Sequence, residues 1–296
     1  MNTLPPSEVL IIGCGDVGRR LAAVYRAEGR EVAGVVRTAE SAAALPAAGV
    51  RAIRCELDGD DLPGLPSRRA ALFYFAPPVD VGRDDVRIER LLTHLEITGL
   101  PQRFLYMSTT GVYGDCSGRW IDEGEPLNPS TQRAQRRIAA EGAVRQWCGE
   151  HGIPWVILRV PAIYGPGRLL IERLKSGQPT IRPDQCSYTN RIHVDDLVSV
   201  CHTAMARAPK DAIYNVSDGS PSTITDYLFK LADLTGLSRP PLISMQEAEK
   251  DLSPSLMSFL RESKRIHNLK MLEELGVKLR YPDLLSGLKA SLAEQP

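Results

Sequence analysis

Three glycines near the start of the chain have the GxGxxG spacing of a phosphate-binding turn. They follow an apolar run at residues 9–12 and lead into an apolar helical pattern at residues 17–27. In such a strand-turn-helix the first glycine allows the tight turn, the second lets the backbone approach a pyrophosphate, and the third lets the helix pack on the strand. The unpaired N–H groups of the helix attract the phosphates. The pattern predicts dinucleotide binding rather than a plain strand-turn-helix, and the residues predicted to hold the pyrophosphate are Gly13, Gly15, Asp16, Val17 and Gly18.

A cation follows the second predicted strand. Residues 31–36 form that strand, and Arg37 comes next, about 20 residues past the glycines, where such folds contact the adenosine ribose. An acidic residue there would accept from the 2′-hydroxyl of NAD, whereas an arginine accommodates the 2′-phosphate of NADP. A guanidinium can bind a phosphate through two parallel hydrogen bonds. Arg37 therefore predicts NADP, with NAD as the alternative coenzyme and an exposed loop arginine as the alternative interpretation.

Residues at other strand ends should line the same crevice, because ligands of open parallel sheets collect at the carboxyl ends of the strands. Asp58 follows the third predicted strand and is expected at the adenine pocket. Ala76 ends the fourth strand, where the following Pro77 forces a loop. Pro161 opens a loop rich in proline and glycine, residues 161–168, that is expected to face the nicotinamide. We predict that Asp58, Ala76 and Pro161 contact the cofactor.

Buried apolar runs alternate with helical patterns along the chain. This alternation predicts an α/β fold with a doubly wound parallel sheet of the Rossmann type. Residues 1–165 are predicted to form the dinucleotide-binding domain and residues 166–296 a smaller C-terminal substrate-binding lobe, part of which returns to the sheet near residues 190–217. The predicted strands are 9–12, 31–36, 50–53, 71–76, 103–108, 153–160 and 212–216, and the predicted helices are 17–27, 84–98, 131–150, 197–206, 226–235 and 269–275.

The composition restricts the classes of partner. The 36 basic and 36 acidic side chains cancel, which argues against nucleic acid and anionic membranes and favours a small molecule or a second copy of the chain. The six cysteines include no CxxC pair, so we expect neither a metal site nor a disulfide framework. The N-terminal segment lacks the features of a signal peptide, and no run reaches the ~18 apolar residues of a membrane span. We expect a cytoplasmic protein.

Five short motifs follow one another along the chain: IIGCGDVG (11–18), STTGVYG (108–114), LRVPAIYGPGR (158–168), RIHVDD (191–196) and YNVSDGSP (214–221). In this order they resemble the motifs of the extended and atypical short-chain dehydrogenase/reductase superfamily, in its NAD-dependent epimerase/dehydratase group, and the GxGxxG form is similar to the YeeZ-like branch. The resemblance implies a Rossmann fold, a nicotinamide coenzyme, chemistry at a hydroxyl or carbonyl carbon such as that of a nucleotide sugar, and a homodimer formed through the helices at 84–98 and 131–150.

The catalytic pattern of that family is incomplete here. Family members use a serine or threonine that polarises the substrate oxygen, and a YxxxK pair in which the tyrosine moves the proton and the lysine lowers its pKa. Thr109 matches the hydroxyl position, whereas Arg133 and Arg137 match the tyrosine and the lysine. Arginine does not deprotonate at working pH, so Arg133 cannot act as the general base. Tyr113 and Tyr164 are the candidate replacements, and the alternative for each is a packing aromatic.

Other polar residues are expected to be structural. His193 should hydrogen-bond between core segments, and Asp195 or Asp196 should cap the helix that follows. Asp122 and Glu123 are expected to be solvated in the polar loop before the predicted helix at residues 131–150.

Two functions are compatible with this sequence. The first is an NADP(H)-dependent oxidoreductase or epimerase in which Thr109 orients the substrate and Tyr113 or Tyr164 takes part in proton transfer. The second is a non-catalytic sensor or regulatory protein that kept the NADP(H) site and lost the chemistry, because the YxxxK pair is missing.

Overall fold

The computed structural model describes residues 8–59, 61–251 and 253–294. Residues 1–7, which contribute to the expectation that no signal peptide is present, lie outside the described residues. Short 3₁₀ turns occur at Pro46–Ala48, Thr110–Tyr113 and Pro183–Gln185. Along the described residues the strands are β1 (Glu8–Ile12), β2 (Glu31–Val36), β3 (Arg51–Arg54), β4 (Ala71–Tyr74), β5 (Arg103–Thr109), β6 (Trp120–Ile121), β7 (Trp155–Val160), β8 (Ala162–Tyr164), β9 (Thr180–Ile181), β10 (Arg191–His193), β11 (Ala212–Asn215), β12 (Leu242–Ile243) and β13 (Arg265–Ile266). The helices are α1 (Asp16–Ala27), α2 (Ala39–Ala44), α3 (Val86–Thr98), α4 (Gln132–Glu150), α5 (Ile171–Lys175), α6 (Val194–Arg207), α7 (Ile224–Thr235), α8 (Met245–Asp251), α9 (Pro254–Leu260), α10 (Leu269–Leu275) and α11 (Leu284–Ala293).

Seven strands form one parallel sheet in the order β11-β7-β5-β4-β1-β2-β3. The chain runs from β1 outward to β2 and β3, then crosses to β4 and continues on the other side, so the strand order reverses between β1 and β4. Ile12 of β1 lies between Val35 of β2 and Tyr74 of β4. In open α/β sheets the ligand crevice lies at such a reversal, outside the carboxyl ends of the strands. The predicted doubly wound α/β fold is confirmed.

Both faces of the central strands are covered, which explains why they are continuous apolar runs rather than alternating ones. On one face, Leu91 of α3 and Val144 of α4 are fully buried in the same cluster as Leu10 and Leu72. On the other face, Tyr25 of α1 packs on Phe73 of β4 with ring centroids 5.8 Å apart. Each fully buried leucine or isoleucine contributes about 1.5–3 kcal/mol through removal of apolar surface from water.

Several predicted element boundaries differ from the structure. The fourth strand ends at Tyr74 rather than at Ala76, so Ala76 lies in the loop after it. The predicted loop at residues 161–168 contains β8, which pairs in parallel with β10. Proline favours an extended backbone at the residue before it, and local sequence patterns do not reveal a partner strand that lies far along the chain. The sixth helix begins at Val194 rather than at residue 197, so Asp195 and Asp196 lie in its first turn and do not cap it. The Asp196 carboxylate accepts instead from the backbone N–H groups of residues 280 and 281, at 2.7 and 2.9 Å.

The described chain divides into two compact units that are interleaved in sequence. Unit 1 comprises residues up to Thr109 together with Gln132–Arg159 and Val198–Tyr214, and unit 2 comprises Thr110–Thr131, Val160–Leu197 and the residues from Asn215 onward. The sequence predicted a boundary after residue 165, with part of the C-terminal lobe returning to the sheet near residues 190–217. The difference arises because chain segments cross from one unit to the other more than once, which hydrophobic periodicity does not reveal.

Unit 2 has its own apolar core, which includes Leu228 and Leu231 of α7 and Leu288 of α11. His193 is buried there. Its Nε2 lies 3.1 Å from the Ser291 hydroxyl, and its Nδ1 accepts from the N–H of Asp195 at 3.2 Å. These bonds connect β10 and the start of α6 with α11. Among the described helices of either unit, none is long and apolar enough to span a membrane.

One buried carboxyl in unit 2 lacks a full set of partners. Asp218 is 5% exposed, and its Oδ1 accepts from the N–H of Ser220 at 2.9 Å. Its Oδ2 has no hydrogen-bond partner among the described residues. Burial raises the pKa of Asp218 to about 7, because a carboxylate loses hydration in the protein interior.

Stability should fall with rising pH because of Asp218. The native state keeps the proton up to about pH 7, whereas the unfolded carboxyl loses it near pH 4. Between these values the native state binds more protons, so the free energy of unfolding decreases as pH rises, by on the order of 2 kcal/mol from pH 5 to pH 8. Asp218→Asn should abolish this decrease in urea unfolding, because the amide stays neutral. The exposed Asp184→Asn is the control, and an unchanged slope in D218N would contradict the prediction.

Candidate functional site

The turn after β1 brings three strand ends together in unit 1. Gly13 has φ +82°, a left-handed conformation that favours glycine, and its N–H donates to the carbonyl of Val35 at 3.0 Å. A Cβ at Gly13 would lie only 2.5 Å from the backbone nitrogen of Ala76. The turn can therefore approach the chain after β4 only because residue 13 has no side chain.

The other two glycines differ in their surroundings. A Cβ on Gly15 would meet nothing within 4 Å, whereas one on Gly18 would lie 3.1 Å from Cγ2 of Ile11. Gly18 thus allows the close packing of α1 on β1, and Gly15 leaves open space in front of the helix. Gly15 is also the N-cap of α1 and provides no side-chain hydrogen bond to the first turn. In any helix the backbone N–H groups of the first turn have no intrahelical acceptor.

Asp16 and Val17, which the sequence also assigned to this turn, point elsewhere with their side chains. Asp16 forms an ion pair with Arg20 at 3.1 Å, and Val17 is 7% exposed. A negative charge in the first turn would otherwise repel a bound phosphate, and the ion pair with Arg20 reduces that repulsion. The contribution open to Val17 is its backbone N–H.

A cleft of about 370 Å³ lies beside this turn. Its walls come from the turn itself, from the ends of β2 and β3, and from the loop after β4, all within unit 1. Of the predicted cofactor residues it includes Gly13, Gly15, Arg37, Asp58 and Ala76. The full lining is Gly13, Cys14, Gly15, Val35, Val36, Arg37, Thr38, Ser41, Cys55, Leu57, Asp58, Phe75, Ala76, Pro77 and Arg87.

Among the residues that the structure describes, three charged side chains line the cleft, two arginines and one aspartate. Arg37 is exposed at the end of β2, next to Thr38, whose hydroxyl accepts from the N–H of Ser41 at 3.2 Å at the start of α2. Asp58 forms an ion pair with Arg87 at 2.9 Å. The hydrogen bond from Arg87, and more weakly the charge of Arg37, hold the pKa of the Asp58 carboxyl below its ordinary value.

Sequence reasoning missed Arg87. Its side chain is only 14% exposed, and its Nη1 donates to the carbonyls of Pro77 and Pro78 at 3.0 and 3.3 Å. The same guanidinium donates to Asp58 through Nη2. A single side chain thus joins the loop after β3 to the loop after β4. The one signal in the sequence was the pair Pro77-Pro78, because loop carbonyls need hydrogen-bond donors from elsewhere in the chain.

The candidate catalytic residues fall in different units. Thr109 ends β5 in unit 1 and is partly buried. Tyr113 lies in the 3₁₀ turn of unit 2, is 1% exposed and donates from its hydroxyl to Oδ1 of Asn215 at 2.7 Å. Nδ2 of Asn215 is buried and has no hydrogen-bond partner among the described residues. Pro161, the remaining cofactor candidate, precedes β8 in unit 2 and is partly buried.

Tyr164 occupies a packing position inside unit 2. It is 3% exposed and its ring packs edge-on against His193, with centroids 5.3 Å apart. Its hydroxyl fills the space that a Cβ on Gly287 would occupy, at 2.0 Å. Burial raises the pKa of Tyr164 far above its ordinary value. A phenol in this environment is a poor proton acceptor, which favours the packing interpretation.

The arginine at the family's lysine position is directed at the sheet. Arg137 of α4 donates from Nη1 to the carbonyl of Met107 at 3.0 Å and to the hydroxyl of Tyr106 at 3.1 Å. Arg133, at the tyrosine position, is exposed. Arg137 therefore connects α4 to the end of β5 within unit 1.

Two acidic residues take part in contacts that the sequence did not predict. Glu123 was expected to be solvated, but it is partly buried and its Oε1 accepts from the N–H of Asn215 at 2.7 Å in unit 2. In unit 1, Glu141 is buried with Arg159, at 2.7 Å between Nη2 and Oε2, and accepts from the Ser108 hydroxyl at 2.5 Å. Asp122, in contrast, is exposed as expected.

Comparisons with known proteins agree with this fold. Residues 70–217 match the model of the NAD dependent epimerase/dehydratase family. The human dTDP-D-glucose 4,6-dehydratase is 24% identical over 178 residues, 57% of this chain and 51% of that protein. The chain spans about half the length of the curated relatives it matches first.

Solved structures match over nearly the whole chain. A functionally unknown conserved protein from Silicibacter pomeroyi DSS is 32% identical, covers 98% of this chain and 99% of its own, and has a TM-score of 0.84. The UDP-glucuronic acid 4-epimerase from Bacillus cereus, solved in complex with NAD, is 17% identical with a TM-score of 0.75 and 97% coverage of both chains. Since the family model matches half of the chain, this protein belongs to the NAD-dependent epimerase/dehydratase family.

Proposed function

We propose that this protein binds NADP(H) in the cleft of unit 1 and acts as an oxidoreductase or epimerase on a hydroxyl- or carbonyl-bearing carbon of a nucleotide sugar. The observation that carries the proposal is the open space in front of Gly15, beside a helix start that has no side-chain cap and in a cleft that Arg37 lines. The helix start fits the pyrophosphate of a dinucleotide, and Arg37 fits the 2′-phosphate of NADP.

The pyrophosphate fits the start of α1. Gly15 lets the phosphate oxygens reach the backbone, and the N–H groups of the first turn can donate to them while the helix dipole favours the negative charge. The matched family region starts at residue 70, so this assignment depends on the geometry of the glycine turn itself. The UDP-glucuronic acid 4-epimerase that shares the fold was solved with NAD, which supports a dinucleotide as the ligand.

The charges of the cleft favour NADP over NAD. Asp58 is the acidic side chain in the lining, and Arg87 pairs with it. Arg37 then supplies a positive charge at the end of β2, where an acidic residue would bind the 2′-hydroxyl of NAD. A guanidinium at this position can bind the 2′-phosphate through two hydrogen bonds.

The proposed chemistry assigns different tasks to the remaining candidates. A bound nicotinamide ring accepts or donates a hydride. Thr109 is proposed to donate a hydrogen bond to a substrate oxygen, and Tyr113 to hold or move a proton at its hydroxyl, with Asn215 as its hydrogen-bond partner. Tyr164 has a packing role in this proposal, because its ring packs on His193, its hydroxyl lies against Gly287 and its pKa is raised. The substrate class follows the relatives, among which are a dTDP-D-glucose dehydratase and a UDP-glucuronic acid epimerase.

A non-catalytic NADP(H)-binding protein is the second candidate. It is favoured by the arginines at both positions of the YxxxK pair, because Arg137 is engaged with Met107 and Tyr106. Loss of a positioned acid or base lowers a rate by about 10²–10⁴, while the cleft of unit 1 does not depend on that pair. Such a protein would signal coenzyme binding by a change in its association, including self-association, or in its protease cleavage pattern.

Gly15→Ala should leave the fold intact and abolish tight coenzyme binding. Its Cβ meets no protein atom within 4 Å but enters the space proposed for the pyrophosphate, so we expect at least a tenfold loss of affinity, about 1.4 kcal/mol. Calorimetric titration with NADPH and thermal unfolding measure the two effects. Gly64→Ala, also in open space but outside the cleft lining, is the matched control. Wild-type affinity in G15A would argue against the pyrophosphate position.

Arg37→Ala should weaken NADPH binding by about tenfold or more and leave NADH binding nearly unchanged, because only NADPH carries the 2′-phosphate and a charged hydrogen bond contributes ~1.5–3 kcal/mol. Parallel titrations with the two coenzymes test this. Equal losses for both coenzymes would remove the NADP assignment.

Turnover separates the two candidate functions. An oxidoreductase should consume NADPH with a keto sugar nucleotide, whereas an epimerase regenerates its coenzyme and should interconvert two epimeric sugar nucleotides. In either case Thr109→Val should lower kcat by about 10-fold or more, as expected for loss of a hydrogen bond to the reacting oxygen, and coenzyme binding should be retained. Absence of both reactions across a panel of sugar nucleotides and their keto forms, together with tight NADPH binding, would favour the non-catalytic protein.

A further inference from the structure

Arg87 is the one guanidinium in the cleft lining that is fixed by several partners. Its Nη1 donates to two proline carbonyls at 3.0 and 3.3 Å, and its Nη2 donates to Asp58 at 2.9 Å. Three acceptors and a side-chain exposure of 14% hold it in place. Arg37, by contrast, is an exposed side chain on the same cleft.

Both arginines act electrostatically on the Asp58 carboxylate. Arg37 and Asp58 line the same cleft, and the charge of Arg37 acts on the Asp58 carboxyl in addition to that of Arg87. If Arg87 were absent, Asp58 would be an unpaired anion beside Arg37. It would then attract Arg37 and repel a phosphate, since like charges at such a site disfavour binding.

We propose that Arg87 is a specificity-determining residue: by pairing with Asp58 it leaves the charge of Arg37 for the 2′-phosphate, so that the cleft prefers NADP(H) over NAD(H). This inference rests on the proposed function and adds to it the residue that sets the coenzyme preference. Arg87 acts through Asp58 and Arg37 and need not touch the phosphate itself.

The hydrogen bonds of Arg87 direct its guanidinium toward Asp58. The carbonyls of Pro77 and Pro78 orient the guanidinium so that Nη2 faces Asp58. The planar fork of arginine can satisfy these acceptors together, which an ammonium cannot do equally well. Salt screens the charge of a partly exposed carboxylate over long distances. Asp58 is 38% exposed, so the cation that neutralises it must lie nearby.

The test compares coenzyme preference in Arg87→Gln, in the double variant R87Q/D58N, and in the control Arg83→Gln, which removes an exposed arginine of the loop before α3. Titration with NADPH and NADH gives the affinity ratio for each protein. We expect R87Q to lose at least about tenfold in NADPH affinity while its NADH affinity changes less than about twofold. The double variant should regain most of the NADPH affinity, because the repelling carboxylate is gone. R83Q should behave as wild type.

The rescue by D58N distinguishes an electrostatic role from a structural one. If Arg87 only held the loops together, R87Q would weaken both coenzymes alike and D58N would not restore NADPH binding, and either result overturns the inference. Should R87Q not fold, Arg87→Lys keeps a positive charge beside Asp58 but satisfies fewer of the three acceptors. We then expect a reduced NADPH preference that R87K/D58N restores; equal losses for both coenzymes, or no restoration by D58N, would overturn the inference. Failure of the wild-type protein to bind either coenzyme would overturn the proposed function, and the inference with it.

Discussion

The approach of Gly13 to the backbone after β4 is the constraint on which the rest of unit 1 depends. The strands β1 and β4 are neighbours in the sheet, and the chain must turn away from both at the same level. A side chain at residue 13 would collide with the Ala76 backbone, so the two strand ends can converge only at a glycine. The first N–H groups of a helix have no intrahelical acceptors, and an anion can supply them. A single steric requirement therefore shapes the cleft in which we propose that the pyrophosphate binds.

The positive charges of unit 1 are distributed according to burial. Arg159 is buried and pairs with Glu141 through two hydrogen bonds, and Arg137 is turned onto Tyr106 and the β5 backbone. These arginines satisfy acceptors inside the protein. Removing one partner of the buried Arg159–Glu141 pair would leave an uncompensated charge, which is far more costly than the net value of the pair. Arg37 remains at the surface of the cleft, and its exposure is what makes its charge available to a ligand.

Local features of the sequence predicted the elements well, because strand and helix periodicity and the glycine spacing depend on neighbours within a few residues. The alternation of strands and helices and the GxGxxG turn followed from such patterns and agree with the structure. Contacts across long separations were not predictable. Arg87 and Asp58 are 29 residues apart, Tyr164 packs on α11 more than a hundred residues later, and β8 forms only because β10 lies beside it. Nothing in the residue types at these positions specifies the partner, since an arginine in the first turn of a helix is most often solvated.

The separation of binding from chemistry has a physical basis in this chain. The cleft of unit 1 is built from backbone geometry and from three charged side chains, none of which belongs to the catalytic pattern of the family. A tyrosine-lysine pair can therefore be lost without altering the residues that line this cleft. Proton transfer is more demanding, because a phenol acts as a base only where its pKa is lowered. Tyr164 is in the opposite situation, since burial raises its pKa. In the proposed function a catalytic role depends on the Tyr113 hydroxyl, which is itself buried and donates to Oδ1 of Asn215.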